Sequence, residues 1–328
     1  CLLPSAEFSA PESIKGIPVQ TRNTPPIPKG DAAMSYFSRL SKAFEGAPIL
    51  PLTGTSRYAI ISDCHRGDGS SGDNFLKNQN LYFTALSYYF NHGFSYIELG
   101  DGDELWENRR MEQIIEIHSN VFWLMARFYE QGRLYLLYGN HDMEKHSCHY
   151  GSKKCASFFC TDSQCIRPLF PDLVFHEGII LQNPSTGNSL HLTHGHQADL
   201  LNSSLWLLSR FLVRYLWRPV EHFGVLDPTS AAKNYSRKDH TEKRLSHYAK
   251  ANHLCLITGH THRPRLDPAS PFYINSGSCV HPRCITCLEI EDGWLSLIKW
   301  SVNVKEDRTL FVERSILSSC DLFTLFPL

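Results

Sequence analysis

From Tyr58 onward the sequence repeats one pattern, a short run of apolar residues that ends in a cluster of polar ones. The pattern occurs as "YAIISDCHRGDG", "FSYIELGDGDE", "RLYLLYGNHDME", "LHLTHGHQAD" and "HLCLITGHTHRP". A short continuous apolar run bounded by turn residues is typical of a strand that is buried on both faces. Each run therefore predicts a buried strand that delivers polar side chains from its carboxyl end.

Two segments between the first three runs have helical character, "NQNLYFTALSYYFNHG" and "MEQIIEIHSNVFWLMARFYEQG". In the second, apolar residues recur about every 3.6 positions, and Gly132 follows as a stop signal. Strands that alternate with helices form βαβ units, whose binding sites lie beyond the carboxyl ends of the strands. We therefore expect the five polar clusters to converge. Towards the end of the chain, "PFYINSGSCVHP", "ITCLEIEDGWLSLIKWSV" and "TLFVERSIL" predict strands that finish the sheet in an antiparallel stretch.

The first 50 residues differ from the rest, because they contain seven prolines and one amphipathic piece, "MSYFSRLSKAFEGA". This composition predicts an extended arm over residues 1–50 that carries one short helix. A single large domain is expected over residues 51–328. Within it we expect a Cys-rich insertion at 146–170 and a helical, lid-like insertion at 199–245.

Composition and charge limit the kinds of molecule that the protein is expected to bind. The net charge is −1, with 42% hydrophobic and 20% charged residues, which is the balance of a folded globular chain rather than of a disordered or nucleic-acid-coating one. We therefore expect no nucleic-acid partner. No apolar run reaches the roughly 18–20 residues that span a bilayer, and no secretory leader is recognisable. These features predict a cytoplasmic protein whose membrane contact, if any, is peripheral, at the inner face.

The eleven cysteines are unevenly placed, and four of them crowd the segment "HSCHYGSKKCASFFCTDSQC". In a cytosolic setting reduced thiols are expected rather than a disulfide framework. His146, Cys148 and His149 are also zinc-ligand types, although their spacing matches no compact zinc motif. The role of this segment stays open at this point.

The polar clusters are rich in residue types that bind metals. In chain order they are Asp63-x-His65, Gly100-Asp101-x-x-Glu104, Gly139-Asn140-His141-Asp142, His194-Gly195-His196 and Gly259-His260-Thr261-His262. Each cluster alone is common in loops. Together they bring carboxylate, imidazole and amide donors from five strand ends, which is a set suited to two divalent cations a few ångströms apart.

The five blocks, in this order, resemble the calcineurin-like metallophosphoesterases over roughly residues 58–302. The resemblance implies an α/β fold, a four-layer α/β/β/α sandwich of two mixed sheets, with a helical insertion that forms a lid or cap and an N-terminal arm. It implies two divalent metal ions and hydrolysis of a phosphate ester or pyrophosphate by a metal-bridging hydroxide. One ion would be held by Asp63, His65 and His262, the other by Asn140, His194 and His260, with Asp101 bridging both.

The resemblance also assigns roles next to the ions. His141 would protonate the leaving oxygen or steady the phosphoryl charge, and Asp142 would orient its ring. Glu104 would hydrogen-bond to metal-site groups. The complete ligand set favours an enzyme over a scaffold. Mn, Fe, Zn and Co suit the mixed nitrogen and oxygen ligands about equally.

Other side chains near the blocks have two interpretations each. His196 is either a hydrogen-bond donor to the ligands or a substrate contact. Arg66 and Arg263 are either phosphate contacts or solvated surface. Asp103 is expected to be an acid at a helix N-terminus, and Glu98 is expected to be structural or solvated.

Arg210, Arg214 and Arg218 recur every fourth residue, so on a helix they form a basic stripe beside apolar faces. Such a helix is a buried packing element, an interfacial helix on anionic lipid, or a lid over an amphiphilic phosphate substrate. Within the family the chain looks most like the branch of the UDP-2,3-diacylglucosamine hydrolases, which implies a lipid-linked or other phosphorylated small-molecule substrate. The alternatives are a nucleotide or phosphoprotein phosphatase or phosphodiesterase and, in a different class, a metal-binding scaffold without catalysis.

Overall fold

Each of the five apolar runs forms a strand in the computed structural model, which describes residues 31–70, 72–160, 164–199, 206–213 and 235–326. The helices are α1 Asp31–Ala43, α2 Gln79–Asn91, α3 Met111–Ile117, α4 Ser119–Glu130, α5 Tyr150–Lys154, α6 Trp206–Leu212, α7 Tyr235–Ala251 and α8 Leu322–Leu325. The first seven strands are β1 Ile49–Pro51, β2 Tyr58–Ile61, β3 Ser95–Leu99, β4 Leu134–Leu137, β5 Ser157–Cys160, β6 Cys165–Pro168 and β7 Phe175–His176. The others are β8 Gly178–Gln182, β9 Ser189–Thr193, β10 Cys255–Thr258, β11 Tyr273–Asn275, β12 Cys284–Glu291, β13 Trp294–Val304 and β14 Leu310–Asp321.

The strands form two mixed sheets and one separate hairpin. A seven-stranded sheet has the order β14-β13-β12-β2-β3-β4-β7, and a five-stranded sheet has the order β1-β8-β9-β10-β11. In the larger sheet β2, β3 and β4 are parallel, and β12, β13 and β14 add the antiparallel stretch that the end of the sequence predicts. Strands β5 and β6 pair only with each other.

The two sheets pack face to face and carry helices on their outer faces. Ile97 of β3 and Ile257 of β10 belong to one buried cluster between the sheets. Phe128 of α4 packs on the outer face of the larger sheet, while Leu40 of α1 and Leu245 of α7 pack on the outer face of the smaller one. Burying the apolar face of each element in this way gives four layers, helix, sheet, sheet and helix. The predicted fold class is therefore confirmed.

The single helix predicted after Arg110 is divided in two. The backbone of His118 leaves the helical region between α3 and α4, and its Nε2 lies 2.9 Å from a carboxylate oxygen of Asp73. Both side chains are buried, so this contact ties the break in the helix to the loop after β2. Gly132 follows α4 with a φ of +65°, as expected for a stop signal.

The Cys-rich insertion contains α5 and the β5–β6 hairpin. Cys155 is buried, whereas Cys148 and Cys165 are exposed, and all three are free thiols. In the described part of the chain, the groups of side chains that could hold a metal lie at the strand ends and not in this insertion. Within the same residues, none of the helices has the length and apolar character needed to cross a membrane.

A buried polar network ties α2 to the sheet beneath it. The hydroxyl of Tyr89 donates to Glu289 of β12 at 2.6 Å and accepts a hydrogen bond from Nε1 of Trp300 on β13 at 2.9 Å. Nε of Arg314 on β14 donates to the same carboxylate at 2.9 Å. Because Trp300 is buried, the loss of the Tyr89 hydroxyl would leave its Nε1–H without this partner.

We predict that Tyr89→Phe destabilises the protein by about 1–3 kcal/mol, the usual result of leaving a buried polar group without its partner. The free energy of unfolding in urea would measure this. Tyr88→Phe on the same helix is the matched control, because no hydrogen bond of its hydroxyl is present among the described residues. Equal stability of both variants and the wild type would contradict the prediction.

Candidate metal centre

The loops that follow β2, β3, β4, β9 and β10 meet at one edge of the molecule. Five of the seven predicted ligands there have a positive φ: Asp63 at 53°, His65 at 51°, Asp101 at 50°, His260 at 66° and His262 at 56°. Non-glycine residues seldom adopt this region, which costs on the order of 1–3 kcal/mol each. Strain of this kind persists where the surroundings impose it, and it is concentrated at functional sites.

Two glycines let the loops after β3 and β4 lie side by side. Gly100 has a φ of +87°, and a Cβ there would lie 2.6 Å from the backbone nitrogen of Gly139. A Cβ on Gly139 would lie 2.2 Å from Oδ1 of Asp101. The absence of both Cβ atoms therefore allows Asp101 to sit beside the loop that carries Asn140.

Asp63, His65 and His262 form one group of candidate ligands. One ligand atom of each lies within 4.8 Å of the others, with Nε2 of His262 at 3.1 Å from Oδ1 of Asp63 and 3.4 Å from Nε2 of His65. The carboxylate of Asp63 is fixed in orientation by hydrogen bonds to its Oδ2. The Ser62 hydroxyl donates to this oxygen at 2.5 Å, and the backbone N–H of His260 donates to it at 2.9 Å. Its Oδ1 is therefore left facing the two imidazoles.

Asp101, His194 and His260 form a second group. Nε2 of His194 lies 3.1 Å from Oδ2 of Asp101 and 3.3 Å from Oδ1 of Asn140. The buried Nε2 of His260 has no hydrogen-bond partner among the described residues. Oδ2 of Asp101 also lies 3.8 Å from Nε2 of His65 in the first group. A buried ring nitrogen without a partner calls for an explanation, and an ion is one.

The ring orientations suit a cation. Nδ1 of His194 lies 2.8 Å from the backbone oxygen of Leu99, which can only accept, so Nδ1 carries the proton. Nδ1 of His65 is likewise 2.9 Å from Oε2 of Glu104. In the neutral rings, both Nε2 atoms then direct a lone pair into the site, as ligating histidines do. The residues therefore fit a pair of divalent ions.

The carboxylates dominate the electrostatics of the site. Burial by itself raises the pKa of Asp101, but His194 and His141 outweigh it and hold that pKa well below its usual range. Burial lowers the pKa of His194, yet Asp101 beside it raises the value to about 9. Burial, helped by His194, lowers the pKa of His260 to about 4. At neutral pH the buried acids therefore remain charged and attract cations.

Glu104 holds two imidazoles at once. Its Oε2 lies 2.9 Å from Nδ1 of His65 and 2.8 Å from Nδ1 of His141, and its Oε1 lies 2.9 Å from the same His141 nitrogen. The ring of His141 also stacks on Trp106, with centroids 4.2 Å apart and planes at 23°. Its side chain keeps 22% of its surface exposed, against 12% for His262 and 9% for His65. The prediction that Asp142 orients this ring is wrong, because Glu104 is the partner.

Two further predictions are corrected by burial. Arg66 is neither a phosphate contact nor solvated surface, because it is fully buried and binds both oxygens of Glu98 at 2.8 Å. Asp103 is not at a helix N-terminus, since the next helix begins at Met111. It lies buried between Arg66 and Lys145, at 2.7 and 2.6 Å. Glu98 is structural, which is one of the two roles that the sequence allowed for it.

His196 and Arg263 lie next to ligands. The ring of His196 is buried 5.5 Å from that of His194, and its Nδ1 has no hydrogen-bond partner in the described part of the chain. Burial, and then His194 and His260, lower its pKa far below the usual value. Arg263 donates to Asp239 at 2.5 Å. Direct roles for both in binding substrate stay predictions.

Of the three arginines in the basic stripe, the structure describes only the first, Arg210. Arg210 of α6 pairs with Glu144, which lies in the loop after β4, while Arg214 and Arg218 lie outside the described residues. Leu207 on the same helix is 57% exposed. The helix is thus linked to the loop that carries His141, and the choice among its three interpretations stays open.

Three side chains at the site were missed from the sequence. Ser62 directly precedes a ligand, Trp106 is a lone aromatic residue among acids, and Lys145 follows Asp142 by three positions. None of these positions belongs to a pattern that marks a ligand or a catalytic residue. Their roles become visible only through contacts between loops that are distant in sequence.

No protein-family model matches the sequence, and no curated protein matches it. Among solved structures, the chain is similar to a conserved uncharacterized protein from Streptococcus pneumoniae, described as a predicted phosphoesterase, at 13% identity and a TM-score of 0.31, covering 80% of this chain and 97% of that one. It is similar to Vacuolar Protein Sorting 29 from Cryptosporidium parvum at 14% identity and a TM-score of 0.35, covering 80% and 98%. It is also similar to Vps29 from Chaetomium thermophilum at 11% identity and a TM-score of 0.39, covering 82% and 99%. At these scores the site's own geometry has to carry any functional conclusion.

We predict that Glu104→Gln weakens metal binding about 10- to 100-fold, the usual effect of losing a carboxylate that orients a ligating histidine. Glutamine keeps the shape of the side chain but offers a single oxygen. Its amide NH₂ group would face an imidazole Nδ1–H, and two donors cannot form a hydrogen bond. Equilibrium dialysis against Mn²⁺ would measure the affinity. Glu107→Gln makes the same change in the same loop and should bind as the wild type. Unchanged affinity in Glu104→Gln would contradict the assigned role.

Proposed function

We propose that this chain is a dinuclear metal-dependent hydrolase of phosphate esters or pyrophosphates. One observation carries the proposal: two groups of mostly buried aspartate and histidine donors lie side by side with Asp101 between them, and the buried Nε2 of His260 has no hydrogen-bond partner among the described residues. Two divalent ions, when bound, supply Lewis acidity at the phosphoryl oxygens and an activated water. The mixed nitrogen and oxygen ligands suit Mn, Fe, Zn or Co.

His141 is the proposed proton donor to the leaving oxygen. Its Nδ1 is paired with Glu104, so its Nε2 is the ring atom available to a substrate. Burial lowers the pKa of His141, but the charges of Glu104 and Asp101 more than offset this and raise it. A raised pKa favours the protonated ring that a general acid requires. The stacking contact with Trp106 fixes the plane of the His141 ring and therefore the direction of its Nε2–H.

The surroundings of the site support one class of substrate over the alternatives. Leu207 and Phe211 of α6 are 57% and 58% exposed, and Arg210 of the same helix is bound to the loop after β4. Exposed apolar side chains on a helix attached to the site suit a substrate that joins a phosphate to an apolar part. We therefore favour a lipid-linked or other amphiphilic phosphorylated substrate, reached in the cytoplasm or by peripheral contact with a membrane, over a nucleotide or phosphoprotein.

We predict that Asp101→Asn and His262→Ala abolish metal-dependent hydrolysis of p-nitrophenyl phosphate and its bis ester while circular dichroism shows a retained fold. His141→Gln should keep its bound ions and lose roughly 10²- to 10⁴-fold in kcat, the usual contribution of a positioned acid. Wild-type activity in Asp101→Asn would refute the site. If metal-replete wild-type protein cleaves no phosphate monoester, diester or pyrophosphate, a binding scaffold is the better description.

We also predict that Arg210→Ala combined with Arg214→Ala lowers kcat/KM far more for a lipid-linked pyrophosphate than for p-nitrophenyl phosphate. The reason is that a lid or interfacial helix contacts only the larger substrate. Arg167→Ala, which removes an exposed arginine on β6, should leave both rates unchanged. Equal losses on both substrates would show that the helix serves packing alone.

A further inference from the structure

We propose that five buried residues, Glu98, Arg66, Asp103, Lys145 and Asp142, form a positioning device for the metal centre and that Lys145 is the link on which it depends. They are referred to below as the ionic chain. The inference rests on the proposed function in that it assumes the strand-end residues bind ions. None of the five is assigned as a ligand, so the role is to hold the ligands in register.

Charges alternate along the ionic chain, and each neighbouring pair is in direct contact. Arg66 binds both oxygens of Glu98 at 2.8 Å, and its Nε donates to Asp103 at 2.7 Å. Nζ of Lys145 donates to Asp103 and to Asp142, at 2.6 Å each. All five residues are at most 1% exposed. At that exposure solvent does not screen the charges, so their mutual interactions stay strong.

The ionic chain connects three loops that carry ligands. The carboxylate of Asp142, in the loop after β4, accepts hydrogen bonds from the backbone N–H of Gly139 at 2.6 Å and of Gly102 at 3.1 Å. It thereby joins its own loop to the loop after β3, in which the same carboxylate also accepts from Asp101. Arg66 extends the connection to the loop after β2, because its backbone N–H donates to the oxygen of Gly102.

Each connected loop presents a predicted ligand. The loop after β2 holds Asp63 and His65, the loop after β3 holds Asp101, and the loop after β4 holds Asn140. The two ion groups share the loop after β10, which holds His260 and His262, but otherwise draw on different loops. The spacing between the groups therefore depends on how those other loops are joined. A change in the ionic chain therefore alters the centre without touching an ion.

Lys145 is the link because two carboxylates share its ammonium group. Without that charge, Asp103 and Asp142 would face each other in a dry environment and repel. Buried ion pairs add little net stability compared with apolar residues of similar size, whereas breaking one is costly. An ionic chain at this place is thus better explained by the geometry it imposes than by stability.

Packing is the competing explanation, since Nζ of Lys145 also lies 5.1 Å from the ring centroid of Phe175. Charge and packing can be separated because Lys145→Met keeps most of the volume and removes the charge. Adding Asp103→Asn to it restores the charge balance of the ionic chain and restores no packing. A double-mutant cycle over these two positions therefore isolates the electrostatic coupling.

The experiment measures the number of Mn²⁺ ions bound per chain and their affinity by equilibrium dialysis, together with urea unfolding of the metal-free protein. We expect Lys145→Met to bind Mn²⁺ about 10- to 100-fold more weakly, and the double variant to recover most of this loss. Lys154→Met, at a half-exposed lysine on α5 that pairs with Glu112, should behave as the wild type.

Two results would overturn the inference: wild-type Mn²⁺ affinity in Lys145→Met, or a double variant no better than Lys145→Met. If Lys145→Met fails to fold, the double variant decides alone. A double variant that folds and binds Mn²⁺ with restored affinity supports the inference. A double variant that fails to fold or binds Mn²⁺ weakly overturns it. Failure of the proposed function has a different signature, because metal-replete wild-type protein would then cleave no phosphate ester or pyrophosphate, whatever the Mn²⁺ affinity of the Lys145 variants.

Discussion

Two buried carboxylates that need a positive partner dominate this structure. Asp63 and Asp101 are 0% and 1% exposed, and each faces imidazole nitrogens from other loops. Burying an unpaired carboxylate costs several kcal/mol. The opposite nitrogens of His65 and His194 are already engaged by Glu104 and Leu99. Positive charge must therefore enter between the rings and the acids, either as protons on the rings or as metal ions.

The strained backbone at the ligands is maintained by ordinary packing elsewhere. The cluster between the sheets and the two outer helical layers are built from buried apolar side chains of the strands, helices and adjoining loops. Their burial is the main stabilising term in such a fold. It can offset several residues held at positive φ, each costing on the order of 1–3 kcal/mol. The strand ends are thus fixed by the layers, and the loops beyond them have little freedom to relax.

The alternation of strands and helices and the convergence of the loops were predictable from repeated local patterns, whereas the four-layer arrangement was expected from the family resemblance. Apolar runs of four to five residues mark β2, β3, β4, β9 and β10, and parallel strands bring their carboxyl ends to one edge. The partner of His141 was not predictable, because adjacency favours Asp142 while folding brings Glu104 to the ring. Arg66 was misjudged for a similar reason. A charged residue in a polar loop is usually solvated, and only the contacts with Glu98 and Asp103 explain its burial.

Glu104 makes ion binding and proton donation interdependent. Its Oε2 contacts Nδ1 of a proposed ligand, His65, and Nδ1 of the proposed acid, His141, which also lies beside Oε1. The backbone N–H of His141 donates in turn to Oδ1 of Asp101 at 2.8 Å, so the acid, its partner and the carboxylate between the two ion groups form one connected unit. Hydrogen bonds that share groups in a low dielectric reinforce one another. A shift of the loop after β3 would therefore move the ligand and the proton donor together, and neither property can be altered there without the other.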